Sequence, residues 1–154
     1  MLTETEAIEQ ELCDDGVCLC KSSDLDRPWK KELDGMCCVE GDCAVIAIND
    51  ALSGTDRLVA LAHETGHYHK GVTGVYCHPS SVEVLKAKDE NRADWEVIER
   101  LDILPQVRQC IRQGCEDAYQ ISEELGYKVK HIERWMHLIE ARYGERWWRK
   151  RLVG

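Results

Sequence analysis

The sequence predicts an α+β fold, a small N-terminal antiparallel sheet packed on a mostly helical domain. Two observations carry this. Short apolar runs bounded by turn residues are confined to the first third of the chain, at 17–20, 35–39 and 43–48, and helical patterning then continues to residue 143. A chain of 154 residues is the size of one domain with one core. Within 1–154 the patterning marks an N-terminal helix and small sheet over 1–54, two longer helices over 55–105, and a C-terminal helical element over 106–154.

A helix is expected over 3–13, with Ala7, Ile8 and Leu12 as its apolar positions. Asp14-Asp15-Gly16 turns the chain into a strand at 17–20, and the polar, Pro28-containing stretch 24–34 reads as a loop. Strands 35–39 and 43–48 form a hairpin across Glu40-Gly41-Asp42. Helices follow at 55–69, 81–102, 104–113, 116–125 and 128–143. Neither an internal repeat nor a low-complexity linker interrupts the order.

Charge divides the chain. The formal net charge is −9, and residues 1–42 hold 12 Asp/Glu against 4 Lys/Arg, whereas residues 131–154 hold 3 against 6. Such an acidic front is a poor nucleic-acid binder and suits either solubility or a basic protein partner. The longest apolar run, 43–48, is far too short to span a bilayer, and the acidic first six residues lack the basic start of a signal peptide. The expectation is a cytoplasmic protein with no membrane association. Of nine cysteines, six fall at 13, 18, 20, 37, 38 and 43 without a C-x-x-C knuckle, so they read as small buried thiols rather than a disulfide framework or second metal site. Cys77 reads as an ordinary loop cysteine.

His63-Glu64-Thr65-Gly66-His67 carries the chemistry. Residues four apart share a helix face, so both imidazoles reach one metal ion, and zinc suits them. Glu64, roughly 60° around the helix from His67, stays off the metal and is placed to act as general base. Thr55-Asp56 supply an N-cap, while Leu58, Leu61, Ala62 and Thr65 form a packed back opposite the histidines. Gly66, which costs about 1 kcal/mol relative to Ala inside a helix, implies a close backbone neighbour such as a strand passing over the helix. A catalytic zinc needs a third protein ligand. Glu90 on the next helix fits, with Asp89 and His78 as competitors. Asp94, four residues after Glu90, is placed to accept a hydrogen bond from the far nitrogen of a zinc histidine. Tyr76, His78 and His131 are candidate transition-state stabilisers on residue type alone.

These stretches resemble the ImmA/IrrE-like metallopeptidases of bacteria, mobile elements and phages. The likeness rests on Ile46-Ala47-Ile48-Asn49, on Leu61 through Tyr68, and on Glu90-Asn91-Arg92-Ala93-Asp94-Trp95 leading to Ile103-Leu104-Pro105. Tyr119–Gly126 and Val129–Glu133 are similar to that family's C-terminal helical element, so the resemblance spans about 35–144. It implies a zincin-like fold and a zinc endopeptidase whose protein substrate is a helix-turn-helix transcriptional repressor, so that cleavage relieves repression in a mobile element, phage or stress response. Trp95-Glu96-Val97 departs from the pattern in packing rather than chemistry, and the resemblance is not drawn over the cysteine-rich N-terminal quarter.

Residues 117–125 and 129–138 also have helix-turn-helix proportions, with Lys128, Lys130, His131 and Arg134 beside them. Packed helices with a solvated charged face account for that pattern more simply than DNA contact. Trp135, Trp147 and Trp148 read as packing residues. The rival function is a non-catalytic regulator that binds a repressor or DNA on this scaffold; an intact Glu64 favours the enzyme.

Overall fold

Thr3 starts the first helix. Its hydroxyl accepts from the Glu6 amide at 3.2 Å while the Glu6 carboxylate accepts from the Thr3 amide at 2.7 Å, a capping box that satisfies two amides left open at a helix start. The computed structural model describes residues 1–26, 28–69 and 79–150, the side chains of 79–85 excepted. Helix α1 (Glu4–Asp14) buries Ile8 and Leu12, one turn apart, and leaves Ala7 exposed. Gly16, at φ +78°, turns the chain into β1 (Cys18–Lys21).

Strands β2 (Gly35–Glu40) and β3 (Cys43–Ile48) form the expected hairpin, with Gly41 at φ +57° in its turn. The sheet order is β1-β3-β2. β1 runs parallel to β3 while β2 runs antiparallel to it, so the sheet is mixed and the expectation of an antiparallel sheet is corrected. The composition of β3 accounts for its central place, though not for the direction of its partners. Its run Cys-Ala-Val-Ile-Ala-Ile is the most apolar strand, and Ile46, Ala47 and Ile48 are buried, so it takes the centre with a partner on each edge. Lys21 and Gly35 flank Ile48 from opposite sides, so the connection between β1 and β2 joins the two edges at one end.

The register also corrects the reading of the cysteines. Cys18, Val45 and Cys38 lie in one row and therefore on one face, which Cys43 shares two residues before Val45. The opposite face, with Leu19, Ile46 and Cys37, turns towards the helices. Cys18, Cys38 and Cys43 are exposed, as is Cys13 on α1, and Cys20 and Cys37 are half-buried. Alternation along the strands puts most of these thiols outside.

Helix α2 (Gly54–His69) begins one residue before the expected cap, so Thr55 and Asp56 lie in its first turn, where the Asp56 charge complements the helix dipole. It is buried over more than one face: Val59, Ala60 and Glu64 join Leu58, Leu61, Ala62 and Thr65. Gly66 does meet another backbone, but that of a helix rather than a strand. A Cβ there would lie 2.8 Å from the Ala93 Cα in α3 (Pro79–Arg100). At the end of α2, His69 is held between Glu11 of α1 at 3.1 Å and Glu96 of α3 at 2.5 Å.

The chain divides into two compact units, Met1–Glu96 and Val97–Gly154, with the boundary inside α3. The second unit contains α4 (Ile103–Arg112), α5 (Ala118–Leu125) and α6 (Val129–Tyr143). Pro105 sits in the first turn of α4, where its missing amide costs nothing. Asp117 caps α5 by accepting from the Gln120 amide at 2.8 Å, and Gly126, at φ +78°, ends it. Ile121, Ile132, Trp135, Ile139 and Trp147 form the core of this unit, and each large side chain so buried contributes about 1.5–3 kcal/mol. Trp135 and Trp147 are thus packing residues. Among the described residues no helix is long and apolar enough to cross a membrane.

Candidate metal centre

Helices α2 and α3 supply the site, with residues that all lie in the first unit. Helical spacing stacks His63 and His67 on one face of α2, with ring centroids 4.8 Å apart and planes at 84°. Close approach of α3 at Gly66 brings Glu90 against both. His63 Nε2 lies 3.2 Å from His67 Nε2 and 3.0 Å from Glu90 Oε2, and His67 Nε2 lies 3.2 Å from Glu90 Oε1. Three donors thus face one point.

The donor set fits a tetrahedral zinc. Bonds of roughly 2.0–2.1 Å at tetrahedral angles put neighbouring ligand atoms about 3.3–3.4 Å apart, close to the observed 3.0–3.2 Å. Two imidazole nitrogens at 3.2 Å need a proton or a cation between them, since facing lone pairs repel. His63, His67 and Glu90 are the one group of three or more ligating side chains among the described residues able to hold a metal ion.

Asp94 stands one helical turn beyond Glu90 and meets His63 Nδ1 at 3.0 Å through Oδ1. A carboxylate there accepts, so Nδ1 carries the proton, and the neutral ring presents the lone pair of Nε2 to the other donors. His67 Nδ1 is buried with no hydrogen-bond acceptor among the described residues. Asp89 approaches Arg92 at 3.9 Å and is not part of the converging set.

Without an ion the three donors and Asp94 form a proton-holding cluster. Burial by itself would push the His63 imidazole down. Hydrogen bonds to Asp94 and Glu90 outweigh that and hold it up at about 10. The same hydrogen bonds from His63 and His67 hold the Glu90 carboxyl well below the usual carboxylate range. A divalent metal ion at the same donors would replace such protons with its own charge.

Glu64 points elsewhere than the three donors. It is 7% exposed and packs under the start of β2, where a Cβ on Gly35 would fall 2.7 Å from the Glu64 Cγ. Burial raises its pKa, and the two histidines counter the rise. The Cys37 thiol, on the same face of β2 as Gly35, is pushed up to about 12 by burial and by the charge of Glu64, so it is a thiol rather than a nucleophile.

Sequence reasoning missed Gly35 and Cys37, which only the register of β2 over α2 reveals. Tyr76, His78 and Cys77 lie outside the described residues. His131 belongs to the second unit, where its ring stacks on Trp135 at 5.6 Å. No family model, curated protein or solved structure matches the chain.

Proposed function

We propose that the chain is a zinc-dependent endopeptidase of the ImmA/IrrE-like kind. One observation carries the reading: three donors converge at 3.0–3.2 Å while a carboxylate adjacent in sequence, Glu64, stays out of the set and buried beside it. A structural zinc site has no use for that fourth group; a hydrolase does. Zinc held by His63, His67 and Glu90 supplies Lewis acidity towards a scissile carbonyl.

The remaining chemistry belongs to the chain. Glu64 takes the proton of the attacking water and returns it to the departing amine nitrogen. A carboxylate whose burial raises its proton affinity is better matched to that exchange near neutral pH than a solvated one. Asp94 fixes the His63 ring and its tautomer. β2 is an edge strand of the sheet, and Gly35 sets it directly on Glu64, so an extended peptide pairing along β2 lies across the site.

The substrate we assign is a helix-turn-helix transcriptional repressor, as the resemblance implies, with cleavage relieving repression in a mobile element, phage or stress response. A basic DNA-binding protein also complements the net charge of −8 over residues 1–42, from 4 Lys/Arg less 12 Asp/Glu.

Metal analysis and a cleavage assay test this together. The zinc-loaded chain should hold one zinc, lost in His67→Ala and Glu90→Ala. It should cut a repressor encoded beside it. Glu64→Gln should keep its zinc and lose about 10²–10⁴ in rate. Equal cleavage by Glu64→Gln would end the mechanism, and repressor binding without cleavage by the zinc-loaded chain would favour the non-catalytic regulator.

A further inference from the structure

The geometry of the second unit points to a thiol oxidation site: Cys110 and Cys115 are a dithiol that a hydroperoxide closes to an intrachain disulfide across the end of α4. This goes beyond the peptidase reading and does not depend on it.

The backbone makes the pairing. The Cys115 amide donates to the Cys110 carbonyl at 3.0 Å, the Gly114 amide donates to the Ile111 carbonyl at 3.1 Å, and Gly114 takes φ +106°. That combination is a Schellman closure, in which the side chain one turn inside the helix end meets the side chain just past the glycine. Two apolar residues usually make that contact. Here both are cysteines.

Covalent geometry bounds their separation. A 3.0 Å bond from the amide of one to the carbonyl of the other keeps the Cα atoms within about 6.9 Å, and disulfides span roughly 4.4–6.8 Å. The Cys115 side chain lies near enough to add to the rise that burial gives the Cys110 thiol. Cys110 is buried on the core face of α4 that carries Ile103 and Val107, while Cys115 is half-exposed. One sulfur is therefore open to an oxidant and the other sits behind it. On the sheet, Cys18 and Cys38 are separated by the whole width of β3.

The chemistry balances with hydrogen peroxide as oxidant. The Cys115 sulfur attacks a peroxide oxygen, the O–O bond breaks, and a sulfenic acid and one water result. The Cys110 sulfur then attacks the Cys115 sulfur, the S–S bond forms as the S–O bond breaks, and a second water leaves with the Cys110 proton. Two thiols lose two electrons and the peroxide gains them. A thiol reductant reverses the change.

The test uses the full chain, reduced, exposed to hydrogen peroxide, alkylated in denaturant and digested with trypsin. Cleavage after Arg108, Arg112 and Lys128 puts the two cysteines on separate peptides, 109–112 and 113–128. The expected product is those two peptides joined, and separated by dithiothreitol. In Cys115→Ser, Cys110 should be recovered fully alkylated at the dose that joins the peptides in the wild type. Three results overturn the site: Cys115 recovered as sulfinic acid with Cys110 still reduced, Cys115 joined to a sheet cysteine, or both thiols intact at a dose that oxidises Cys18, Cys38 and Cys43.

Discussion

Asp94 stands outside the three converging donors, and its hydrogen bond at 3.0 Å to His63 Nδ1 decides which nitrogen of that ring holds a proton. In Asp94→Asn the amide still reaches Nδ1 but no longer bears the charge that stabilises the ring as a ligand. Zinc affinity should fall about 10–100-fold, read by competition with a chelator, while the fold persists. An affinity equal to the wild type would show that Asp94 does not orient the ring. Gly35 acts on the other carboxylate. A methyl group at that position falls 2.7 Å from the Glu64 Cγ and 3.1 Å from its Oε1, so the buried Glu64 has to move. Gly35→Ala should keep the zinc stoichiometry and lower the cleavage rate at least about tenfold, since misplacing a general base erodes its contribution. Unchanged cleavage would show that Glu64 has room the contact distances deny it.

The two helices of the site meet where each has a small residue, Gly66 on α2 and Ala93 on α3. A Cβ at Gly66 would lie 2.8 Å from one backbone atom and 3.1 Å from another, neither of which is free to swing aside. Gly66→Ala therefore trades a gain in helix propensity of about 1 kcal/mol against overpacking of typically 1–3 kcal/mol. The balance should lower the urea midpoint and zinc affinity together, because Glu90 and Asp94 travel with α3. A midpoint at or above that of the wild type would mean α3 adjusts freely. That glycine also marks how far the sequence reached. His63, His67, Glu90 and Asp94 could be paired from one-turn spacings within α2 and α3, since spacing on a helix is local information. The identity of the element against Gly66 was not local, and the expectation of a strand was wrong. The same limit applies to the sheet. Its strands were legible from apolar runs, but β1 pairing parallel to β3 depends on which edge the chain returns to, which no run of residues encodes. Exposed cysteines on β1, β2 and β3 followed from that register, and so did Gly35 and Cys37 over Glu64. The closure that brings Cys115 back to Cys110 depended on a left-handed Gly114, visible in sequence only as a glycine after a helix.

For the molecule as a whole, the site links folding to protons, and zinc bound there as proposed would be linked to them in the opposite direction. In the metal-free chain the His63 pKa rises from 6.5 to about 10. A proton held more tightly by the folded than by the unfolded chain stabilises the fold while it stays bound, so this contribution is complete below about pH 6.5 and is lost as pH climbs through 10. Glu90 has a lowered pKa, so its contribution is present above its unfolded value near 4.5 and is lost as the solution is acidified. Together they give the metal-free protein its best stability from this cluster between about pH 4.5 and 6.5. Zinc demands the reverse. The proton on His63 Nε2 has to leave before that nitrogen binds, so zinc uptake releases protons and strengthens as pH rises from 6.5 towards 9. The melting temperature of the chelator-stripped chain should accordingly decline from pH 6.5 to 9 while the increment added by saturating zinc grows over the same range. Calorimetry in buffers of different ionisation enthalpy should register the protons released. A zinc increment independent of pH, with no proton release, would place the metal on donors that hold no proton in the empty site and would take His63 out of the ligand set.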